Sequence, residues 1–321
     1  MATATTTKTQ ASRQAGRTPT GRMTKSRLAV VLLSPTMLCL ALVIGYPVVS
    51  ALRLAFQMQS ERIDKTTGFL TTTTSFGLGN FTDAFTGDEA SRFFNAFWNT
   101  TTFTVVSVGI EVVIGVAMAL VMHQAVRGRA LVRAAILVPW AIPTAISGLL
   151  WRWVFASDGI ANNLLHAHVL WTADGFPAWC AVVIADTWKT APFIGLLVLA
   201  GLQTIPAEVY EAARLDGASG WKSFSRITLP LVRPVLVVAV LFRLLDVLRM
   251  FDLPYVLIGP RKGSVETLTM IAVDEMQNLH FGAASAYAVV LFLYIAAVAT
   301  VFVSVLGADV LGTSGRKRPA R

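Results

Sequence analysis

Charge is what this chain has least of. Only 14% of its 321 residues are Asp, Glu, Lys or Arg, while 55% are hydrophobic. A soluble domain of that composition could not keep its surface wet, so the chain reads as an integral membrane protein. Cysteine is nearly absent too. Cys39 and Cys180 both fall in apolar runs, which excludes a disulfide framework and a cysteine-based metal cluster. A nucleotide-binding Gly-x-x-x-x-Gly-Lys-Ser/Thr run is missing, because Gly259-Pro260-Arg261-Lys262-Gly263-Ser264 has the wrong spacing. The chain is therefore expected to hydrolyse no ATP itself and to be no enzyme. It also lacks a visible inverted repeat, which weighs against a secondary transporter.

What is present is a series of six apolar segments, near Leu28–Leu52, Asn99–Met122, Leu131–Phe155, Ala178–Gly201, Leu231–Leu248 and Ala283–Leu306. Each is long enough to cross a bilayer at about 20 residues per span. The predicted fold is all-α, with a six-span membrane domain over residues 28–306. The basic residues at and beyond the span ends sort by side. One side collects those of the N-terminal tail, Arg127, Arg129 and Arg133, then Arg214, Lys222, Arg226 and Arg233, and finally Arg316, Lys317, Arg318 and Arg321. The other side holds only Arg53, Arg62, Lys65, Arg92, Arg261 and Lys262. The positive-inside bias then places both termini in the cytoplasm. The net charge of +9 is thus topological, and no nucleic-acid partner is called for.

Residues 1–27 are rich in Thr, Ser, Gly and Arg without apolar periodicity, and a disordered cytoplasmic tail is expected there. A basic cytoplasmic tail is expected over 307–321. The first apolar run is too long for a cleaved signal peptide and is expected to remain as an anchor. His166 and His168 lie in a loop that reads as solvated, with no metal site. Prolines fall within several spans, at Pro35, Pro47, Pro139, Pro143 and Pro192. Each frees a backbone carbonyl that needs another partner inside a membrane, a pattern that fits helices surrounding a cavity.

One polar stretch lies between the fourth and fifth apolar segments: Tyr210-Glu211-Ala212-Ala213-Arg214-Leu215-Asp216-Gly217, followed by Ile227-Thr228-Leu229-Pro230. It reads as a short helix with marked ends. Pro206 stands at its first turn, Glu208 and Glu211 lie near its positive end, and Gly217 is suited to a left-handed stop. The spacing Glu-Ala-Ala, three residues, Gly, nine residues, Ile-x-Leu-Pro resembles the cytoplasmic signature of permease subunits in ATP-binding-cassette (ABC) importers. From about Phe76 to Leu306 the chain is similar to the carbohydrate-uptake permeases of the maltose and glycerol-phosphate type. The stretches that carry this include Gly77-Leu78-Gly79-Asn80-Phe81, Asn99-Thr100, Pro139-x-x-x-Pro143, Trp188-Lys189-Thr190-Ala191-Pro192-Phe193 and Phe251-Asp252. Through Leu120-Val121-Met122-His123 and Leu241-Phe242-Arg243-x-Leu245-Asp246 it looks most like the first permease subunit of mycobacterial trehalose importers. Ile258-Gly259-Pro260 departs from the pattern, which commonly has Thr or Ser before a double glycine.

The resemblance implies a multi-pass pore subunit of the bacterial plasma membrane. It works with a second permease, two ABC ATPases that bind ATP and Mg, and an extracytoplasmic solute-binding lipoprotein. The loop at about 203–230 would be the coupling element, with Glu211, Ala212, Ala213, Asp216 and Gly217 as its contact and turn residues. The chain itself would bind no cofactor. Ionisable groups inside spans are expensive and face a partner or a wet cavity. On the fourth span Asp186, Lys189, Thr190 and Phe193 share a stripe; on the fifth, Arg243, Asp246 and Met250 do likewise. These are the candidate solute contacts, trehalose being the lead solute. The alternative is internal pairing of Asp186 with Arg243 or of Lys189 with Asp246. Glu111 is expected to be structural, with Arg152 as its candidate partner. A rival solute is glycerol-3-phosphate, for which Arg243 and Arg249 would supply cationic donors. A more remote rival is an ATPase-independent channel or carrier.

The topology is checked by single cysteines in a background lacking Cys39 and Cys180. Cysteines at Ser12 and Ser314 should resist a membrane-impermeant thiol reagent in intact cells, and one at Thr172 should react. Outside labelling of either terminal position overturns the six-span topology.

Overall fold

Proline and lipid together shape the helices. The computed structural model of the protein describes residues 25–63, 70–87, 89–124 and 128–307. Residues up to Ser50 and from Ala51 onward form two compact units. The first contains α1 (Lys25–Leu40), a widened π-type turn over Ala41–Gly45, and the start of α2 (Tyr46–Ala55). The helix begins at Lys25, so the last three residues of the expected tail are helical; residues 1–24 lie outside the described residues. The widened turn has a local cause. Pro47 has no amide to give and its ring crowds the carbonyl one turn back. Tyr46, just before it, donates to Ala41 five residues back instead of four. The same device recurs before Pro230, where Leu229 donates to Phe224 at the end of a second π-type turn, Phe224–Thr228.

The second unit continues with a hairpin in the long segment between the first two apolar runs. Strands β1 (Gln57–Ile63) and β2 (Leu70–Phe76) pair antiparallel from Gln57 opposite Phe76 to Ile63 opposite Leu70. The Thr-rich run of β2 suits a pleated strand. Asn80, on α3 (Gly79–Thr86), donates to the carbonyls of Ala55 and Gln57 at 3.0 Å each and ties the hairpin base to that helix.

The bundle proper consists of α4 (Ala90–Gln124), α5 (Arg129–Ala141), α6 (Thr144–Val154), short α7 (Ile160–Leu165), α8 (Phe176–Leu202), α9 (Ala207–Leu215), α10 (Gly220–Ser223), α11 (Leu229–Val247), α12 (Asp252–Leu257), α13 (Leu268–Gln277) and α14 (Phe281–Phe302). Among the described residues, five helices are long and apolar enough to cross a membrane: Arg27–Ala55, Ala90–Gln124, Phe176–Leu202, Gly220–Val247 and Phe281–Leu306. A sixth crossing requires α5 and α6 to count together. The expected continuous third span is in fact two helices bent by 96°. Pro143 is the reason. It forces Ile142 into extended backbone (φ −74°, ψ 132°) and itself takes ψ 140°, so helix cannot run through the pair.

Helix α8 is the hub, buried along most of its length. One apolar cluster joins α4, α8 and α11 through Ala119, Met122, Ile194, Val198 and Val232. Another packs Phe103, Ala181, Ala185, Val247 and Leu253. Without a hydrophobic drive between helices in lipid, close approach through small residues supplies packing. At Gly115 of α4, an added Cβ would lie 2.8 Å from Ile194 Cβ and 2.9 Å from the Ala191 carbonyl oxygen.

At one end the helices are clasped by polar groups. Asn99 donates to the carbonyls of Gly263 and Glu266 (2.7 and 3.0 Å) and Asn95 to Gly263 (2.6 Å). Arg92 forks onto Glu266 (2.6 and 2.9 Å) and reaches Asp274 at 2.7 Å. Asp174 accepts from the Ser264 hydroxyl and amide, which hold its carboxyl below the usual carboxylate range. These contacts order the loop around Gly259 that departs from the familiar sequence pattern.

Gly115→Ala should therefore cost about 1–3 kcal/mol through overpacking, seen as a lower thermal midpoint of the detergent-extracted protein. Gly109→Ala is the control, since an added Cβ there meets nothing within 4 Å. Equal midpoints for the two variants would show that the α4–α8 approach is not limiting.

Candidate functional site

A single arginine gathers three helices. Arg243 of α11 is buried and aims its fork at Glu111 of α4: Nε donates to Oε2 at 2.7 Å and Nη2 to Oε1 at 2.8 Å. Nη2 also reaches Asp186 Oδ2 of α8 at 3.1 Å, and Nη1 donates to Asp246 one turn along α11. Thr190 donates to Glu111 Oε1 at 2.6 Å, completing that carboxylate's set. Glu111 has no exposed surface, Asp186 is buried, and Asp246 is exposed. In an interior without water, such charges persist only when paired and hydrogen-bonded in this way.

Two expected pairings are corrected here. Glu111 does not pair with Arg152, which is exposed on α6; Arg243 takes it instead. Lys189 does not take Asp246: its Nζ donates to the carbonyl of Ile142 at 2.8 Å and lies 3.5 Å from that of Trp140. The 96° break leaves those carbonyls without helical partners, and a cation at a helix C-terminus also meets the negative end of its dipole. The expected Asp186–Arg243 pair is present.

Beside this cluster lie two cavities. One, of about 360 Å³, has Asp186, Lys189, Thr190, Asp246 and Met250 on its walls. The other, of about 230 Å³, is lined by Thr190, Phe193, Arg243 and Asp246. Trp140 and Arg249 border both; Arg249 was expected only as a donor to a phosphate solute, and Trp140 was not singled out from the sequence. The signal for Trp140 was available in its place next to Pro139, at the end of a helix a second proline was bound to break.

The polar loop between α8 and α11 forms the second candidate element. Pro206 is the N-cap of α9 rather than its first turn. Glu208 sits in the first turn and Arg214 in the last, the arrangement that complements the helix dipole. The helix stops in a Schellman turn. Gly217 takes φ +72°, its amide bonds to the Arg214 carbonyl at 3.0 Å, and Ala218 bonds to Ala213 at 2.9 Å. Asp216 is the C-cap, Glu211 and Ala212 are exposed, and Ala213 is buried. Ser219 then caps α10, its hydroxyl oxygen accepting from the Lys222 amide. Leu215 and Trp221 stand 89% and 74% exposed, a large apolar area for a polar loop. Behind the loop a cavity of about 820 Å³ opens between the ends of α4 and α8 and helices α9 and α10, bordered by His123, Tyr210 and Glu211.

A bundle of apolar helices around a charge-lined cavity, with a rigid polar loop between two of its spans, defines a membrane-embedded transport component. Comparison with known proteins gives the family. Residues 111–312 match the family of binding-protein-dependent transport system inner membrane components, and the chain belongs to it. It is 36% identical over 299 residues to the trehalose transport system permease protein SugA of Mycobacterium tuberculosis, covering 92% of this chain and 94% of that one. It is 40% identical over 223 residues to the trehalose/maltose transport system permease protein MalF of Thermococcus litoralis, covering 68% and 76%. The fold matches a chain of a bacterial ABC transporter that imports the acidic polysaccharide alginate, with a TM-score of 0.70 at 22% identity over 90% of this chain and 96% of that chain.

Removing one member of the charge cluster should have unequal effects. Arg243→Met strands two buried carboxylates and should cost about 3–5 kcal/mol, with assembled protein in the membrane falling sharply. Glu111→Gln leaves Arg243 with Asp186 and Asp246 and should be milder. Equal membrane abundance for the two variants would show that the arginine is not the centre of the cluster.

Proposed function

We propose that the chain is the pore-forming permease subunit of an ATP-driven importer of sugars, with a disaccharide such as trehalose as its solute. It would act in the bacterial plasma membrane with a second permease subunit, two ABC ATPases carrying ATP and Mg, and an extracytoplasmic solute-binding lipoprotein. Both termini and the Glu211 loop would face the cytoplasm, as the basic residues suggest.

The observation that carries the sugar reading is the state of Arg243. Four of its five N–H donors are engaged by Glu111, Asp186 and Asp246. It has no fork to offer a phosphate. An anionic solute such as glycerol-3-phosphate therefore loses its best ligand. A neutral polyol does not, because Asp186, Thr190 and Asp246 still present oxygens to the 360 Å³ cavity and Phe193 and Met250 add apolar wall to the paired cavities. That volume is at the small end of the usual range for ligand sites, about 300–1,000 Å³. The relatives named above are trehalose and maltose permeases, which favours the same solute class.

Energy would enter through α9. Its Schellman turn at Gly217 fixes where it stops, and exposed Glu211 and Leu215 would seat it in an ATPase cleft. ATP closing the ATPases and loaded binding protein docking outside then favour one shared conformation, a coupling free energy between two distant sites.

The test is a vesicle reconstitution of the full complex, reading trehalose uptake and trehalose-stimulated ATP hydrolysis. Gly217→Val forces a β-branched residue into left-handed backbone at a cost of about 1–3 kcal/mol. Glu211→Lys reverses an exposed charge. Both should assemble at wild-type levels and lose uptake at least about tenfold, the equivalent of roughly 1.4 kcal/mol. Full uptake and stimulation in both variants would remove the loop from the coupling role. Absence of any sugar-stimulated hydrolysis by the wild-type complex would remove the sugar reading.

A further inference from the structure

The cavity behind the polar loop, about 820 Å³, has walls of two origins. His123 and Gln124 end α4, whose Glu111 is bonded to α8 and α11 in the bundle interior. Glu211 and Arg214 belong to α9 and Trp221 to α10, with Phe224 just beyond. A molecule held by both walls therefore ties the loop to the bundle.

The side chains on these walls are uncommitted. Among the described residues, His123, Gln124, Glu211 and Arg214 make no side-chain hydrogen bond or ion pair, although Glu211 and Arg214 are one helical turn apart. The charged groups around the cavity at the opposite end behave otherwise: Arg92 holds Glu266 and Asp274, Arg261 holds Asp274, and His280 holds Glu275. Behind the loop, Glu211 and Arg214 give the wall one charge of each sign, so a neutral ligand meets no net field and an anion would meet a carboxylate. Trp221 is 74% exposed and its ring stands 5.6 Å from that of Phe224, inclined by 35°. Aromatic faces beside a carboxylate, a guanidinium, an imidazole and an amide suit a ring with an apolar C–H face and a rim of hydroxyls. The volume lies within the usual range for ligand sites, about 300–1,000 Å³.

Resting on the sugar reading above, we propose that this cavity is a product site on the cytoplasmic face. The imported sugar, once accumulated inside, binds between the end of α4 and the loop, holds the loop against the bundle, and slows further ATP hydrolysis. The inhibition follows because a ligand that binds one loop position in preference to another shifts the population toward it.

The test uses vesicles holding the full complex with its ATPases outward and saturating trehalose-loaded binding protein inside, so that this face meets the bath. Transfer of labelled trehalose from lumen to bath, the direction of uptake in the cell, is read beside ATP hydrolysis. Bath trehalose at about ten times its Kd leaves roughly one complex in eleven unbound, so initial hydrolysis should fall about tenfold. Gln124→Leu, normalised to its own rate without bath sugar, should need roughly three- to tenfold more trehalose for the same inhibition. A second arm needs no turnover. Gln124→Cys, in a background lacking Cys39 and Cys180, should react with an impermeant thiol reagent added to the bath, and trehalose should slow that reaction while glycine betaine does not. Equal inhibition of wild type and Gln124→Leu places the inhibitory sugar elsewhere and overturns the site, as does labelling that trehalose leaves unchanged. Failure of both Gln124 variants to assemble also overturns it, because Gln124 would then be a packing residue. The wild-type arm separates the two readings. No transfer of trehalose or maltose sinks the sugar reading; transfer that bath trehalose does not inhibit sinks the product site alone.

Discussion

The guanidinium of Arg243 is the joint on which the bundle's interior depends. Taking a full charge out of water costs several kcal/mol even after relaxation, and here α4, α8 and α11 each bring at least one charged group inward. Apolar packing alone tolerates sliding, since one methyl group replaces another at little cost. A forked arginine does not, because its donors fit Glu111 in only one register. The 2.7 and 2.8 Å bonds to Glu111, with Asp186 at 3.1 Å, therefore set how the three helices sit along one another. Any rearrangement that widens the cavity must either carry this cluster as a body or exchange its partners.

The second constraint is backbone satisfaction in lipid. Proline removes an amide and the membrane offers no water in its place. The chain meets this in two ways. Before Pro47 and Pro230 the helix widens by one residue and continues. At Pro143 it breaks, turns by 96°, and a lysine from α8 takes the open carbonyls. The second solution leaves an aromatic side chain beside a polar cavity, and so converts a backbone defect into a surface with chemistry.

The two ends of the bundle are built on different principles. At one, Asn95, Asn99, Arg92 and Asp174 clasp the loop before α13 through a dense set of side-chain bonds, several of them to backbone. At the other, α9 is held by its C-terminal Schellman turn and by Tyr210 against Thr228 at 3.2 Å, while Glu211, Ala212 and Leu215 stay exposed. A clasped end resists local opening; a helix with few side-chain ties and an open face leaves that face free for contact.

Much of this was legible in the sequence because it depends on local or periodic signals. Apolar runs longer than a bilayer give the spans, and Gly217 after Asp216 gives the left-handed stop, since only glycine enters that region without steric cost. The stripe of Asp186, Lys189 and Thr190 on one helical face follows from the 3.6-residue period. Pairing across helices is not a periodic property, and there sequence reasoning ran out. It offered Arg152 as a candidate partner of Glu111 and, as the alternative to solute contact, Asp246 for Lys189, because charge and span membership alone do not specify rotation or depth. Only the packed bundle decides that Arg243 serves Glu111, that Lys189 is drawn to a broken helix end, and that Trp140 faces a cavity. Those outcomes depend on where α5, α8 and α11 come to rest against each other, which is set by small-residue contacts such as Gly115 against Ile194 and not by any single segment.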